Sequence, residues 1–133
     1  MVVDCASRRS WTQKLKSKDE CLAKFRMLVS GLKTAYVRTD AEQVYNSKKW
    51  KDLCSEFNIS HERSSPYTKG QNGVAEKRIG DVGRGSKTSM HMASAPDREY
   101  DWAVDLTNLY KQYAPTSANT GGISPMAAWE GVK

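Results

Sequence analysis

Cysteine and histidine are both scarce in this 133-residue chain, and their placement excludes certain chemistries. Three cysteines, Cys5, Cys21 and Cys54, are odd in number and widely spaced. With His61 and His91 they make no C-x-x-C or H-x-x-x-H pattern, so a zinc site is not expected. A reducing, intracellular compartment is the simpler expectation. No apolar run approaches the ~20 residues that a membrane-spanning helix needs, so no membrane partner is expected. The opening residues Met1 to Cys5 carry no basic region followed by an apolar stretch, and no signal peptide is visible. Repeats, low-complexity tracts and linkers are also missing before about residue 115. One domain with one modest core is the expectation at this length.

What is present suits a folded, water-exposed chain. Apolar residues make up 38% and charged residues 27%, a balance that fits a globular domain better than a disordered one. The net charge of +6 is unevenly spread. Residues 1–95 hold 18 Lys/Arg against 10 Asp/Glu, whereas residues 96–133 hold 3 against 5. A basic front portion suits a polyanionic partner such as nucleic acid, although charge alone does not name one.

The pattern along the chain alternates strands and helices. Residues 1–4 read as a strand stub followed by a polar turn through Ser7, Arg8 and Arg9. Residues 11–15 alternate large apolar and polar side chains as a half-buried strand does. Ser17 precedes Glu20 by three positions, the spacing of a capping box. The helix it opens carries Leu22, Phe25, Val29 and Leu32 on one face and ends near Gly31. Residues 34–39 are rich in strand formers and stop at Asp40. Ser47 is placed to cap a second helix with Trp50, Leu53, Cys54 and Phe57 along one face. A short strand over residues 59–63 precedes a loop containing Pro66, Gly70 and Gly73. Two helices are predicted over residues 74–92 and 98–113, then a loop over 116–122 and a helical turn over 125–129. This order predicts an α/β sandwich. Trp11, Trp50, Trp102 and Trp129 are expected to pack rather than to stack on bases, Trp50 and Trp102 from apolar helix faces.

The segment richest in chemistry is Ser65 to Arg78, SPYTKGQNGVAEKR. A glycine-containing loop there feeds a helix whose first turn bears Glu76, with Lys77 and Arg78 directly after it. A carboxylate at a helix start and another at a strand end make a suitable pair for a divalent cation. Mg²⁺ accepts one or two carboxylates and completes its shell with water and phosphate oxygens. Asp40 is the natural partner.

SPYTKGQNGVAEKR resembles the signature around the last catalytic carboxylate of copia-type retrotransposon integrase cores, in the ribonuclease H-like superfamily. Other segments agree in order. VDCASRRSW followed by KLKSKDE resembles the family's second and third strands and the start of its first helix. VRTD resembles the strand that carries its middle aspartate, and SKKWKDLCSEFNISHERSSPY the helix, strand and loop that follow. SPMAAWEG resembles the proline-to-tryptophan box just past the core. The resemblance therefore divides the chain into a partial catalytic core, residues 1–114, and a C-terminal extension, residues 115–133.

The resemblance implies a mixed sheet flanked by helices and a Mg²⁺- or Mn²⁺-dependent enzyme that cuts and joins DNA phosphodiester bonds. It assigns catalysis and metal binding to Asp40 and Glu76, which have 35 residues between them as in the family. Spacing alone decides nothing, because Asp4/Asp40 and Glu20/Glu56 share that separation among 15 acidic residues. The resemblance places Tyr67, Gln71, Asn72, Lys77, Arg78 and Lys87 toward DNA, and implies homo-oligomers and a nuclear or cytoplasmic-particle location.

The chain departs from the family in three places. The family's first strand and first aspartate lie upstream of the segment where this chain begins. The fold is thus expected to lack its first strand, and the chain alone is expected not to catalyse. The VDCASRRSW match puts Asp4 on the second strand, at a position that is not catalytic in the family. After Asp40 the chain reads Ala41-Glu42-Gln43-Val44-Tyr45 where the family carries a glycine-rich loop. Lys69 and Gly70 replace a Pro-Gln pair, and Gly80, Gly83 and Gly85 enter a predicted helix. Each glycine there costs about 1 kcal/mol relative to alanine, a pattern expected of a decaying element. Two alternatives stay open beside an integrase fragment: a non-catalytic nucleic-acid-binding module, and a relic without activity.

Overall fold

Among the described residues, two two-stranded ladders form, one antiparallel and one parallel. The structure is a computed structural model that describes residues 1–64 and 72–131. It divides into two units, one of Gln13–Gly73 and one of Met1–Thr12 with Val74 onward. Both units mix strands with helices, the α/β character that the motifs imply.

In the first unit to be described, Gln13–Gly73, the elements are α1 (Glu20–Ser30), the strand Tyr36–Thr39, α2 (Lys48–Glu56) and the strand Ser60–Arg63. The two strands pair in parallel, Tyr36 opposite Ser60 through Thr39 opposite Arg63. Parallel pairing demands a crossover of a dozen or more residues, and here a 3-10 turn (Gln43–Asn46) and α2 supply it. Ser47 caps α2 as expected, its Oγ accepting from the Trp50 N–H at 3.2 Å. Trp50, Leu53 and Cys54 then face inward with Phe25, Val29 and Ile59. Beyond α2, Asn58 takes a left-handed φ of 51°, which asparagine tolerates better than most residues. That bend lets the Ile59 N–H reach the Cys54 carbonyl at 2.7 Å.

The capping box at Ser17 does not form. α1 starts three residues later with Asp19 at its N-cap, and the Glu20 carboxylate reaches back to the Lys16 N–H at 3.1 Å. Ser17 instead offers its carbonyl to the Glu20 N–H, closing a turn ahead of the helix. Gly31 does end α1, with φ at −99° rather than in the left-handed region.

In the other unit, Val2–Val3 and Ser10–Trp11 form an antiparallel hairpin. For labelling in chain order these are β1 and β2, and the parallel strands Tyr36–Thr39 and Ser60–Arg63 are β3 and β4. β2 is shorter than the expected strand over residues 11–15, because β1 offers only two residues to pair with, and Leu15 is left exposed. The hairpin turn is closed by Asp4, whose Oδ2 accepts from both the N–H and the hydroxyl of Ser7, at 2.7 and 2.6 Å.

α3 (Gly73–Met92), α4 (Tyr100–Tyr113) and α5 (Pro125–Trp129) complete this unit, so Gly73 opens a helix instead of sitting in the loop. α5 carries proline just inside its start and Ser124 at its N-cap, a favoured combination. Trp129 on α5 meets Trp11 edge-on at 5.3 Å, and the Arg9 guanidinium stands 5.2 Å from each ring. Residues 115–133 thus include an element that packs on the hairpin.

α4 turns polar residues inward. Its buried positions are Thr107, Asn108 and Gln112. Asn108 and Ser10 bind each other twice, Ser10 Oγ donating to Asn108 Oδ1 at 2.6 Å and Asn108 Nδ2 to the Ser10 carbonyl at 3.2 Å. Trp102 is consequently 74% exposed, against the expectation that it packs in the core. The reason is that the hairpin is anchored by amide and hydroxyl groups, which fix the rotation of α4.

α3 runs unbroken through Gly80, Gly83 and Gly85. A Cβ on Gly85 would lie 2.7 Å from Thr107 Cγ2, so α3 approaches α4 at a distance only glycine permits. Decay does not explain Gly85; helix packing does. Gly83 has its nearest neighbour, the Tyr100 hydroxyl, at 4.0 Å. Gly85→Ala is therefore expected to destabilise the chain by about 1–3 kcal/mol through overpacking. Gly83→Ala is expected to stabilise it by up to about 1 kcal/mol through helix propensity. Denaturant midpoints of the two variants should move in opposite directions; a shift of both the same way would overturn this account.

Candidate functional site

β3 delivers Asp40 to solvent immediately after a buried residue. Thr39 is 7% exposed while Asp40 is exposed. The chain end is held firmly: the Ser64 N–H and hydroxyl both donate to the Thr39 carbonyl, at 2.8 and 3.0 Å. Asp40 Oδ1 accepts from the Glu42 N–H at 3.3 Å, an Asx-type turn that leads into the 3-10 turn Gln43–Asn46. Tyr45 of that turn stacks edge-on to Trp50 at 4.8 Å. Burial first, then Cys21, Asp40 and Glu42, push the Tyr45 phenol well above its usual range, so it stays protonated.

Behind Asp40 lies a polar chain that motif reading missed. The Trp50 indole N–H faces His61 Nδ1 at 3.2 Å, and His61 Nε2 stands 2.9 Å from Thr39 Oγ1. Thr39 Oγ1 in turn donates to the Asp40 carbonyl at 3.1 Å. The available signal was the lone histidine within ISHERSSPY, but its partners come from α2 and β3, and only the parallel register brings them together.

The second carboxylate belongs to the other unit. Glu76 sits exposed in the first turn of α3, where a negative charge complements the helix dipole. Lys77 beside it is exposed. Eleven residues at 3.6 per turn return Lys87 to within about 20° of Glu76 on the helix surface, and Lys87 is exposed too. Arg78 points elsewhere: it is half-buried, and its Nη2 donates to the Arg8 carbonyl at 2.6 Å. Burial lowers its pKa from the ordinary value, opposed by Asp81. Asn72 lies half-buried in the turn entering α3. Tyr67 and Gln71 lie outside the described residues, as do Pro66, Lys69 and Gly70.

The structure thus brings Glu76, Lys77 and Lys87 onto one helix and places Asp40 at a strand end in the other unit. Among the described residues, no three His, Cys, Asp or Glu side chains cluster as metal ligands. Asp4 is occupied by Ser7 in its turn. Cys54 is packed in the core, and burial raises its thiol pKa.

No protein-family model matches the chain. It is 33% identical over 108 residues to the Retrovirus-related Pol polyprotein from transposon TNT 1-94 of Nicotiana tabacum. That match takes in 77% of this chain and 8% of the polyprotein. The fold matches a chain in the structure of the simian T-cell lymphotropic virus intasome in complex with PP2A regulatory subunit B56 gamma, with a TM-score of 0.75. The chain is thus similar in sequence to a segment of a retrotransposon Pol polyprotein and in fold to an intasome chain. The structural match covers 95% of this chain and 45% of the intasome chain at 18% identity, so it speaks to fold alone. The retrotransposon kinship and the integrase-like α/β fold expected from the motifs are both met by these two likenesses.

His61 is expected to make the Asp40 end of this unit sensitive to acid. Burial, with a smaller contribution from the Arg63 charge, lowers its pKa below the ordinary 6.5. An unfolded chain thus protonates before the folded one does. Stability is complete above about pH 6.5 and is lost as the pH falls below it, levelling off below the folded-state value. Urea midpoints measured on either side of pH 6.5 should show this loss, and His61→Gln should remove it. Equal midpoints in the unsubstituted chain would refute the assignment.

Proposed function

We propose that this integrase core contributes two metal-binding carboxylates and a phosphate-binding helix to an enzyme that cuts and joins DNA phosphodiester bonds. The observation that carries the proposal is Asp40, exposed at the carboxyl end of a strand in a parallel β-α-β unit. Ligands of α/β folds gather at that end of the strands. By the family resemblance, Glu76 at the start of α3 is the second carboxylate. Both are hard oxygen donors of the type Mg²⁺ and Mn²⁺ take, and the donor set leaves room for water and phosphate oxygens. A bound ion would supply charge stabilisation for the phosphodiester oxygens.

The remaining residues act on the DNA backbone. Lys77 and Lys87 offer ammonium groups to phosphates, and Lys87 shares the Glu76 side of α3. Arg78 has one guanidinium nitrogen committed to the Arg8 carbonyl and presents the rest of its fork from that anchored position. Asn72, with Tyr67 and Gln71 by the family resemblance, contacts DNA ahead of the helix. The parent enzyme works as a homo-oligomer on this reading. The chain spans 8% of its polyprotein relative, so these activities belong to the longer protein of which it would be a part.

Two measurements test the proposal. Mg²⁺ or Mn²⁺ titrated into the chain should shift or broaden the amide NMR signals of Asp40 and Glu76 saturably, and Asp40→Ala or Glu76→Ala should abolish the response at both. In DNA binding, Lys77→Ala and Lys87→Ala should each lower the slope of log affinity against log salt by about 1. Salt-sensitive DNA binding with no metal response would make the chain a nucleic-acid-binding module instead. Loss of both responses would sink the proposal.

A further inference from the structure

The hydrogen bonds behind Asp40 have a defined direction. An indole N–H is a donor only, so the His61 Nδ1 that faces it at 3.2 Å must be the bare acceptor nitrogen. A neutral ring then carries its proton on Nε2, which donates to Thr39 Oγ1 at 2.9 Å. With one lone pair so engaged, the Thr39 hydroxyl directs its own proton to the Asp40 carbonyl at 3.1 Å. The sequence Trp50 to His61 to Thr39 to Asp40 therefore runs one way, and reversing the histidine tautomer would oppose two N–H donors at its first link.

Its origin is a deeply buried side chain. Trp50 is 1% exposed and is packed by Phe25 at 4.7 Å, Tyr45 at 4.8 Å and the His61 ring at 5.5 Å. Its end is the peptide from which the Asp40 side chain emerges. On the preceding peptide the Thr39 carbonyl is held separately by Ser64. The backbone on both sides of the Asp40 Cα is thereby tied to the core, although the Asp40 carboxylate itself stands in solvent.

We propose that Trp50, His61 and Thr39 are positioning residues for Asp40, transmitting the fixed orientation of the buried indole to the backbone that aims its carboxylate. The consequence for metal binding rests on the function proposed above, whereas the positioning itself is measurable without any metal. Directional links of this kind keep a ligand's geometry when the ligand side chain is exposed, and removing groups that orient metal ligands lowers metal affinity about 10–100-fold.

The first test is a long-range ¹H–¹⁵N spectrum of the imidazoles in the full chain near neutral pH, with His91→Gln used to assign His61. A bare Nδ1 and protonated Nε2 are expected; the opposite tautomer overturns the proposal. Next, the ¹³C signal of the Asp40 carbonyl is compared among Thr39→Val, Thr39→Ser and His61→Gln in metal-free protein. Valine preserves size and loses the hydroxyl, so the signal should move, while serine should retain it. Glutamine restores a donor toward Thr39 and should move it less than His61→Ala does. An unchanged Asp40 carbonyl in Thr39→Val overturns the proposal, and the tautomer test, made on a chain with Thr39 and His61 intact, decides the matter if that variant does not fold. Finally, Thr39→Val should weaken the Mg²⁺ response at Asp40 about 10-fold. An unaltered Mg²⁺ response in that variant refutes the positioning role and leaves the metal site standing. The expected tautomer and carbonyl shifts with no Mg²⁺ response in the unsubstituted chain support the positioning and sink the metal reading.

Discussion

Burial of Trp50 is the constraint on which the Asp40-bearing unit depends, because a large indole must find both apolar walls and a partner for its one N–H. Phe25 from α1 and Tyr45 from the 3-10 turn supply the walls, and His61 from β4 accepts the N–H. Three separate elements are thus drawn to α2 by one side chain. Removing an N–H acceptor in a buried setting costs about 1–3 kcal/mol, so the histidine is as much a part of the core as the phenylalanine. Exposed ion pairs such as Arg26–Glu56 and Arg38–Glu62 add little by comparison.

The other unit solves its packing problem with polar groups and small residues. Ser10 and Asn108 lock the hairpin to α4, and Asn119 Nδ2 ties the hairpin turn through the Ser7 carbonyl at 3.0 Å. Ser86 on α3 is fully buried, its hydroxyl turned back to the Val82 carbonyl at 2.7 Å. With Gly85 alongside, it lets α3 and α4 come close. A helix interface made this way depends on shape and satisfied donors more than on apolar area, which is why the apolar side of α4, Trp102, Leu106, Leu109, Tyr110 and Tyr113, stays at the surface.

These two packing solutions give the carboxylates contrasting settings. Asp40 leaves a strand whose last residue is buried and cross-tied, while Glu76 stands on the first turn of a twenty-residue helix anchored by Arg78 to the hairpin. The lysines on α3 remain free to face solvent because Arg78 takes the structural contact.

Much of this was legible in the amino-acid order because it depends on local chemistry. The Ser47 cap, the Trp50, Leu53, Cys54 stripe, the stop at Asp40 and the proline-started α5 all involve residues within one or two turns of each other. The flanking motifs around VRTD and SPYTKGQNGVAEKR also pointed to the family without any coordinates. The Ser17 cap failed because Glu20 found the Lys16 N–H instead, a choice between competing local partners that spacing does not rank. Trp102, Gly85 and His61 were beyond reach for a different reason. Their roles are set by contacts between residues 11 to 98 positions apart, through Thr107, the Ser10–Asn108 pair, Trp50 and Thr39. Sequence alone determined most of the helices and pointed to a retrotransposon relative, since propensity, capping and motif are written in neighbouring residues. Tertiary structure alone decided which face of α4 is buried, why Gly85 must be glycine and which nitrogen of His61 carries the proton, since each depends on an atom brought close only by folding.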